Sequence, residues 1–273
     1  MEVCGFHEGS HLIFGLEQSK LRRNYLSGIR VSKELAWSDL KNSYKRTSLG
    51  PWWGTITSGV MIATLWLVFG NLFAVESYFT YLATGILLWT LVSGPLGSAP
   101  YVFASNENLI RSTSLPLWTY LSRGMLKQLF VFAHSFALIP IVVFINLGEL
   151  PETAIWFVLS MPLVALNMFW LTSLIAFLST RYRDVAPIVV SVTTVLFYLT
   201  PIFWKPDILH SGVRELFLDW NPMYYMLNLL REPWLGNQPR AIDWIVVLCM
   251  TALGGVFFRL IYRAFQHRVV FWL

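Results

Sequence analysis

Five stretches of this chain contain no Asp, Glu, Lys or Arg: residues 53–73, 78–103, 129–147, 153–180 and 185–204. A hydrocarbon core of roughly 30 Å, at about 1.5 Å of rise per residue, calls for about 20 apolar residues in a helix. A sixth charge-free stretch, 244–258, is shorter, but Asp243 and Arg259 bound it and can reach the two interfaces, giving a span of about 243–262. The pattern predicts an all-α integral membrane protein with six transmembrane helices. Apart from one histidine, no acidic or basic side chain lies within the charge-free stretches to couple movement to an ion gradient. The only histidine inside one is His134, read as a packed intramembrane residue.

Composition agrees: 56% of the 273 residues are hydrophobic, 16% aromatic and only 13% charged, too apolar a surface for a soluble domain. Trp52, Trp53, Tyr78, Trp118, Tyr182, Trp204 and Tyr262 gather near the expected span ends, where amphipathic rings favour the headgroup layer. Sixteen of the 20 basic residues fall before the first span, after the second and fourth, or at the C-terminal end from Arg259 onward. The positive-inside rule then places both termini in the cytoplasm. The net charge of +5 is read as topology and lipid-headgroup contact, with no nucleic-acid partner. Cys4 and Cys249 read as unpaired thiols, and no metal-ligand spacing is present. The polar, basic N-terminal segment has no apolar run of signal-peptide kind, so no cleavable leader is expected.

Residues 1–26 read as a terminal tail. Residues 27–47 have helix-forming composition without Pro, with Ile29, Ala36, Leu40 and Tyr44 near one face and Trp37 alongside. Lys33, Lys41, Lys45 and Arg46 occupy the rest, the pattern of an amphipathic helix in the interface plane. Gly50-Pro51 ends it. Span two carries Gly94-Pro95, Gly97 and Pro100 and is expected to kink or break. A short polar segment, Ser105 to Arg111, follows. The loop from Lys205 to Arg240 is too rich in Leu, Phe, Trp, Tyr and Met to be solvated. It predicts two short re-entrant helices on the outer side, buried against protein. Gly254-Gly255 reads as a close-packing device, and residues 266–273 as a C-terminal tail.

Catalytic patterns are missing. There is no phosphate-binding G-x-x-x-x-G-K-[ST] loop, no H-E-x-x-H and no G-x-S-x-G. All 15 acidic residues lie outside the charge-free stretches. Catalysis by this chain is not expected, and energy for transport would have to come from a separate subunit.

The run from Asp39 to Trp53, D-L-K-N-S-Y-K-R-T-S-L-G-P-W-W, resembles the D-L-K-x-x-Y-x-x-S-x-L-G-x-x-W signature that opens the permeases of ABC-2 type polysaccharide exporters. Thr47 stands where that pattern has a smaller residue. Tyr182-Arg183-Asp184 and Asn221-Pro222 add weaker matches, and the likeness in segment order spans about 28–265. The O-antigen exporters are the first reading, with capsule and teichoic-acid exporters as near relatives.

That resemblance implies a homodimer seated on two copies of a cytoplasmic ABC ATPase, with ATP and Mg held by the partner and no cofactor bound by this chain. Residues 27–47 would be the interface helix, residues 27–265 the transmembrane domain, and the hydrophobic outer loop the gate. Glu107, Asn108, Leu109, Ile110 and Arg111 would form the ATPase-coupling helix, its charges making contacts and Leu109 and Ile110 an apolar plug. The cargo would be a lipid-linked glycan. Lys41, Lys45, Arg46 and Arg183 are candidates for its diphosphate, and Trp66, Trp89, Phe197, Tyr198 and Phe203 for its sugar faces. An alternative is the same architecture exporting a small hydrophobic drug or lipid. A third reading, a membrane-embedded glycan-modifying enzyme, needs paired carboxylates or a metal site that the sequence does not offer.

Overall fold

The structure is a computed structural model and describes residues 28–45, 47, 50, 52–70, 78–206, 212 and 218–273. All regular structure among these residues is helical. Helix α1 covers 28–44. It is followed by α2 (Trp52–Phe69), α3 (Tyr78–Ser98), the short α4 (Glu107–Ser112), α5 (Trp118–Phe136), α6 (Leu138–Leu147), α7 (Trp156–Arg181) and α8 (Val185–Leu199). The chain closes with α9 (Pro222–Arg231), α10 (Ala241–Phe265) and α11 (Val269–Trp272).

Five helical runs are long and apolar enough to cross a membrane: Trp52–Phe69, Tyr78–Tyr101, Trp118–Leu147, Glu152–Arg181 and Ala241–Phe265. The charge-free stretches locate them but misplace their ends. The third begins 11 residues before position 129 and carries Arg123 and Lys127. The stretch 185–204 yields only a 15-residue helix, short of the bilayer by itself. It stops because Thr200 precedes Pro201 and adopts an extended conformation, ψ 136°. The expected break in span two falls late: Pro95 sits within α3, and the helix tightens into a 3₁₀ turn at Ala99–Tyr101.

Helix α3 is the axis of the bundle, with Leu82, Ala83, Leu87 and Leu88 fully buried. Helix α10 packs on α7 because Gly254 lets the Trp170 indole take the space a Cβ would fill. The buried Asn167 ties the same pair, donating to Thr251 Oγ1 at 2.6 Å and accepting from Trp170 Nε1 at 3.1 Å. Large apolar side chains of α2 (Val60, Leu67) and α8 (Val190, Val195) remain exposed.

Where α8 ends, the backbone at Thr200–Trp204 leaves the helix, and its carbonyls require donors. Tyr78 donates to Phe203 O at 2.6 Å, and Tyr81 to Pro201 O and Trp204 O at 3.0 Å each. Gly85 admits the Ile202 backbone against α3. Within the hydrophobic loop, α9 is capped by Asn221, whose side chain accepts from Met223 N at 3.0 Å, and Met223 to Arg231 are all buried. Much of the loop expected to form two re-entrant helices, residues 207–211 and 213–217, lies outside the described residues. The final residues, read as a tail, form α11 and bury Val269 beside Ile110 and Phe177.

Candidate functional site

The polar segment after α3 folds as a 3₁₀ turn, Ala104–Asn106, leading into the six-residue α4. Arg111 Nε donates to Glu107 Oε1 at 3.0 Å across one helical turn, an exposed i,i+4 pair worth about 0.3–0.5 kcal/mol. Asn108 is exposed and Leu109 half-buried. Ile110 faces inward with Phe103 and Phe177, so it anchors the short helix instead of projecting from it. Thr113 Oγ1 donates to Leu109 O at 2.7 Å and lies 3.0 Å from Tyr120 Oη, fixing the far end.

Arg123, counted in the sequence only for topology, organises this region. Its Nε and Nη2 meet Asp39 Oδ2 and Oδ1, each at 2.6 Å, while Nη1 donates to Asn106 Oδ1 at 2.5 Å. Asn106 Nδ2 in turn donates to Val102 O at 2.7 Å. One guanidinium therefore joins α1, α5 and the entry to α4, using the planar fork that an ammonium lacks. The fork is largely shielded, with side-chain exposures of 17% and 27%. A basic residue just upstream of an apolar run and a signature aspartate were both legible, but their pairing was not.

Helix α1 docks on α5 through Gly28, Ser32, Ala36 and Leu40, an i,i+4 stripe of buried residues. The small residues allow this: a Cβ at Gly28 would come within 2.6 Å of the Trp118 ring. The face differs by part of a turn from the expected one, since Ile29 and Trp37 are exposed. Lys41 and Lys45 stand exposed one turn apart, Lys41 at 5.5 Å from the Trp37 ring. Arg46 lies outside the described residues. Arg183 is exposed in the turn between α7 and α8, and no contact joins it to Lys41 or Lys45 among the described residues.

Four of the five expected aromatics come together. Trp89 and Phe197 are 6.1 Å apart, Phe197 stacks on Phe203 at 5.8 Å, and Tyr198 meets Phe203 edge-on at 6.1 Å. Phe69 of α2 joins them at 5.9 Å from Phe203. Trp66 stands apart, against Phe79 at 6.0 Å. Trp89 is buried, whereas Trp66 and Tyr198 are half exposed or more. The cluster joins rings of α2, α3 and α8 with Phe203 just beyond α8.

A family model described as ABC-2 type transporter matches residues 31–234. Two proteins of Klebsiella pneumoniae called O-antigen export system permease protein RfbA are similar to the chain, at 25% and 23% identity over 238 residues. Each match covers 82% of this chain and 90% of the relative. A protein of the same name from Myxococcus xanthus is 23% identical over 208 residues, 74% of this chain and 78% of its own.

Proposed function

The chain belongs to the ABC-2 type transporter family, and we propose that it is the membrane subunit of an ATP-driven exporter of undecaprenyl-diphosphate-linked polysaccharide, with O-antigen as the cargo. It is a multi-pass integral membrane protein of the inner membrane, and membership of this family implies association with an ABC ATPase. The reading of the cargo rests on the likeness to O-antigen export permeases across most of both chains.

Two copies of the chain would meet along the uncovered faces of α2 and α8, above two ATPase subunits that hold ATP and Mg. Closure of the ATPases would press on Glu107, Asn108 and Arg111. Because Arg123 holds both the entry to α4 and Asp39 of α1, a push on α4 also moves the interface helix. Lys41 on that helix, with Lys45, Arg46 and Arg183, would receive the lipid diphosphate by charge-assisted hydrogen bonds. Sugar C–H faces would slide past Trp66, Phe197, Tyr198 and Phe203 without one fixed register, while Trp89 supports Phe197 from behind.

The test is a host strain lacking this gene, fractionated to ask where its undecaprenyl-linked glycan resides. Polymer trapped inside the cell with synthesis intact is the expected result. Normal surface polymer would sink the polysaccharide reading in favour of a small hydrophobic cargo.

A further inference from the structure

At the end of the bundle opposite Glu107–Ser112, α3, Lys205-Pro206, α9 and the turn Glu232–Leu235 enclose a recess of about 310 Å³. Its charged lining among the described residues is Lys205, Arg231, Glu232 and Arg240. Arg240 is already occupied: Nε and Nη2 meet Asp243 Oδ2 and Oδ1 at 3.1 and 2.8 Å. Those hydrogen bonds hold the Arg240 guanidinium above its ordinary value, against the pull of burial. Glu232 accepts from Asn237 Nδ2 at 2.9 Å.

Arg231 is in a different position. It is 1% exposed, and its two hydrogen bonds go to neutral acceptors, Nη1 to Pro201 O at 2.7 Å and Nη2 to Asn228 Oδ1 at 3.0 Å. Among the described residues its Nε has no partner, and no carboxylate pairs with it. Its guanidinium lies 4.0 Å from the Tyr81 ring centroid, and the Lys205 ammonium lies 5.7 Å from the same ring. Two cations thus flank one phenol at the mouth of a recess, one of them buried with a spare donor. A buried charge is tolerated when a counter-charge completes it. Ring faces and carbonyls soften the cost here without cancelling the charge.

We infer that this recess binds an oxyanion, a phosphate or carboxylate group carried on a sugar or on a lipid headgroup, with Arg231 and Lys205 as its cationic ligands. The Tyr81 and Tyr224 rings, which also line it, form the apolar wall against which the rest of such a ligand lies. The site does not depend on the export reading, because binding is read on this chain alone.

The experiment uses the full chain in phosphatidylcholine nanodiscs, with inorganic phosphate titrated in and binding followed by ³¹P line broadening. Saturable binding is expected, weakened about tenfold in Lys205→Gln by loss of one charge-assisted contact. Lys205 is only half-buried, so this variant keeps the fold even where Arg231→Gln does not. A second set of discs doped with phosphatidylglycerol separates the sources. Competition with phosphate assigns the recess to a headgroup, and its absence assigns it to a soluble or sugar-borne oxyanion. No saturable phosphate binding, or binding unchanged in Lys205→Gln, would overturn the site and leave Arg231 as a clamp on Pro201 O.

Discussion

Arg123 grips both carboxylate oxygens of Asp39 at 2.6 Å, across 84 residues of sequence. The pair ties the amphipathic helix to the third apolar helix, and the third nitrogen of the same guanidinium holds Asn106 at the entrance to α4. Replacing Arg123 with Lys keeps the charge and loses the fork. We expect Arg123→Lys and Asp39→Asn each to lower stability by about 1–3 kcal/mol. The double variant should cost less than the sum of the two, which a cycle of unfolding measurements on purified protein reads directly. Strict additivity would show that the fork carries no coupling.

The exposed pair on α4 behaves differently. Glu107→Ala combined with Arg111→Ala should change unfolding by no more than about 0.5 kcal/mol, because exposed i,i+4 pairs contribute little. Export should nevertheless fall while assembly with the ATPase persists, measured as surface polymer against co-purified complex. Unchanged export would remove these two residues from the coupling surface.

How much of this was readable beforehand depends on range. Charge-free runs located the membrane helices because the cost of a charge in hydrocarbon is local to each residue. The same rule cut α5 short, treating Arg123 and Lys127 as a boundary, because the partner of Arg123 lies on another helix. Thr200-Pro201 carried its own stop signal, yet the apolar run up to Trp204 outweighed it. Arg231 is one of the four basic residues that the cytoplasmic set leaves out; its burial against Pro201 and Tyr81 is a tertiary fact. The segment proposed for ATPase coupling was legible as a polar stretch between apolar runs, but not the inward turn of Ile110, which depends on Phe103, Phe177 and Val269.

Because α8 spans only 15 residues, the crossing count needs its own measurement. With native cysteines replaced, single cysteines at the exposed positions Asn108 and Gln238 should react with impermeant maleimide from opposite sides. Asn108→Cys should label from the cytoplasm and Gln238→Cys from outside. Labelling of both from one side would mean that the chain between them crosses an even number of times.

Close packing of α7 and α10 rests on the missing side chain at Gly254. Gly254→Val drives two methyl groups into the Trp170 indole and should cost about 1–3 kcal/mol, read by unfolding in detergent. Adding Trp170→Ala should recover part of that loss. A Gly254→Val protein as stable as wild type would show that the two helices separate freely.

The claim on which the rest depends is ATP-driven movement of a lipid-linked glycan through this chain. Its most direct test is a proteoliposome holding the chain with its ATPase partner and undecaprenyl-diphosphate-linked glycan in the ATPase-facing leaflet, assayed for glycan reaching the opposite side. Transfer should require ATP hydrolysis and fall in Arg123→Lys. Glycan that stays in place while ATP is consumed, or that crosses without ATP, would contradict it.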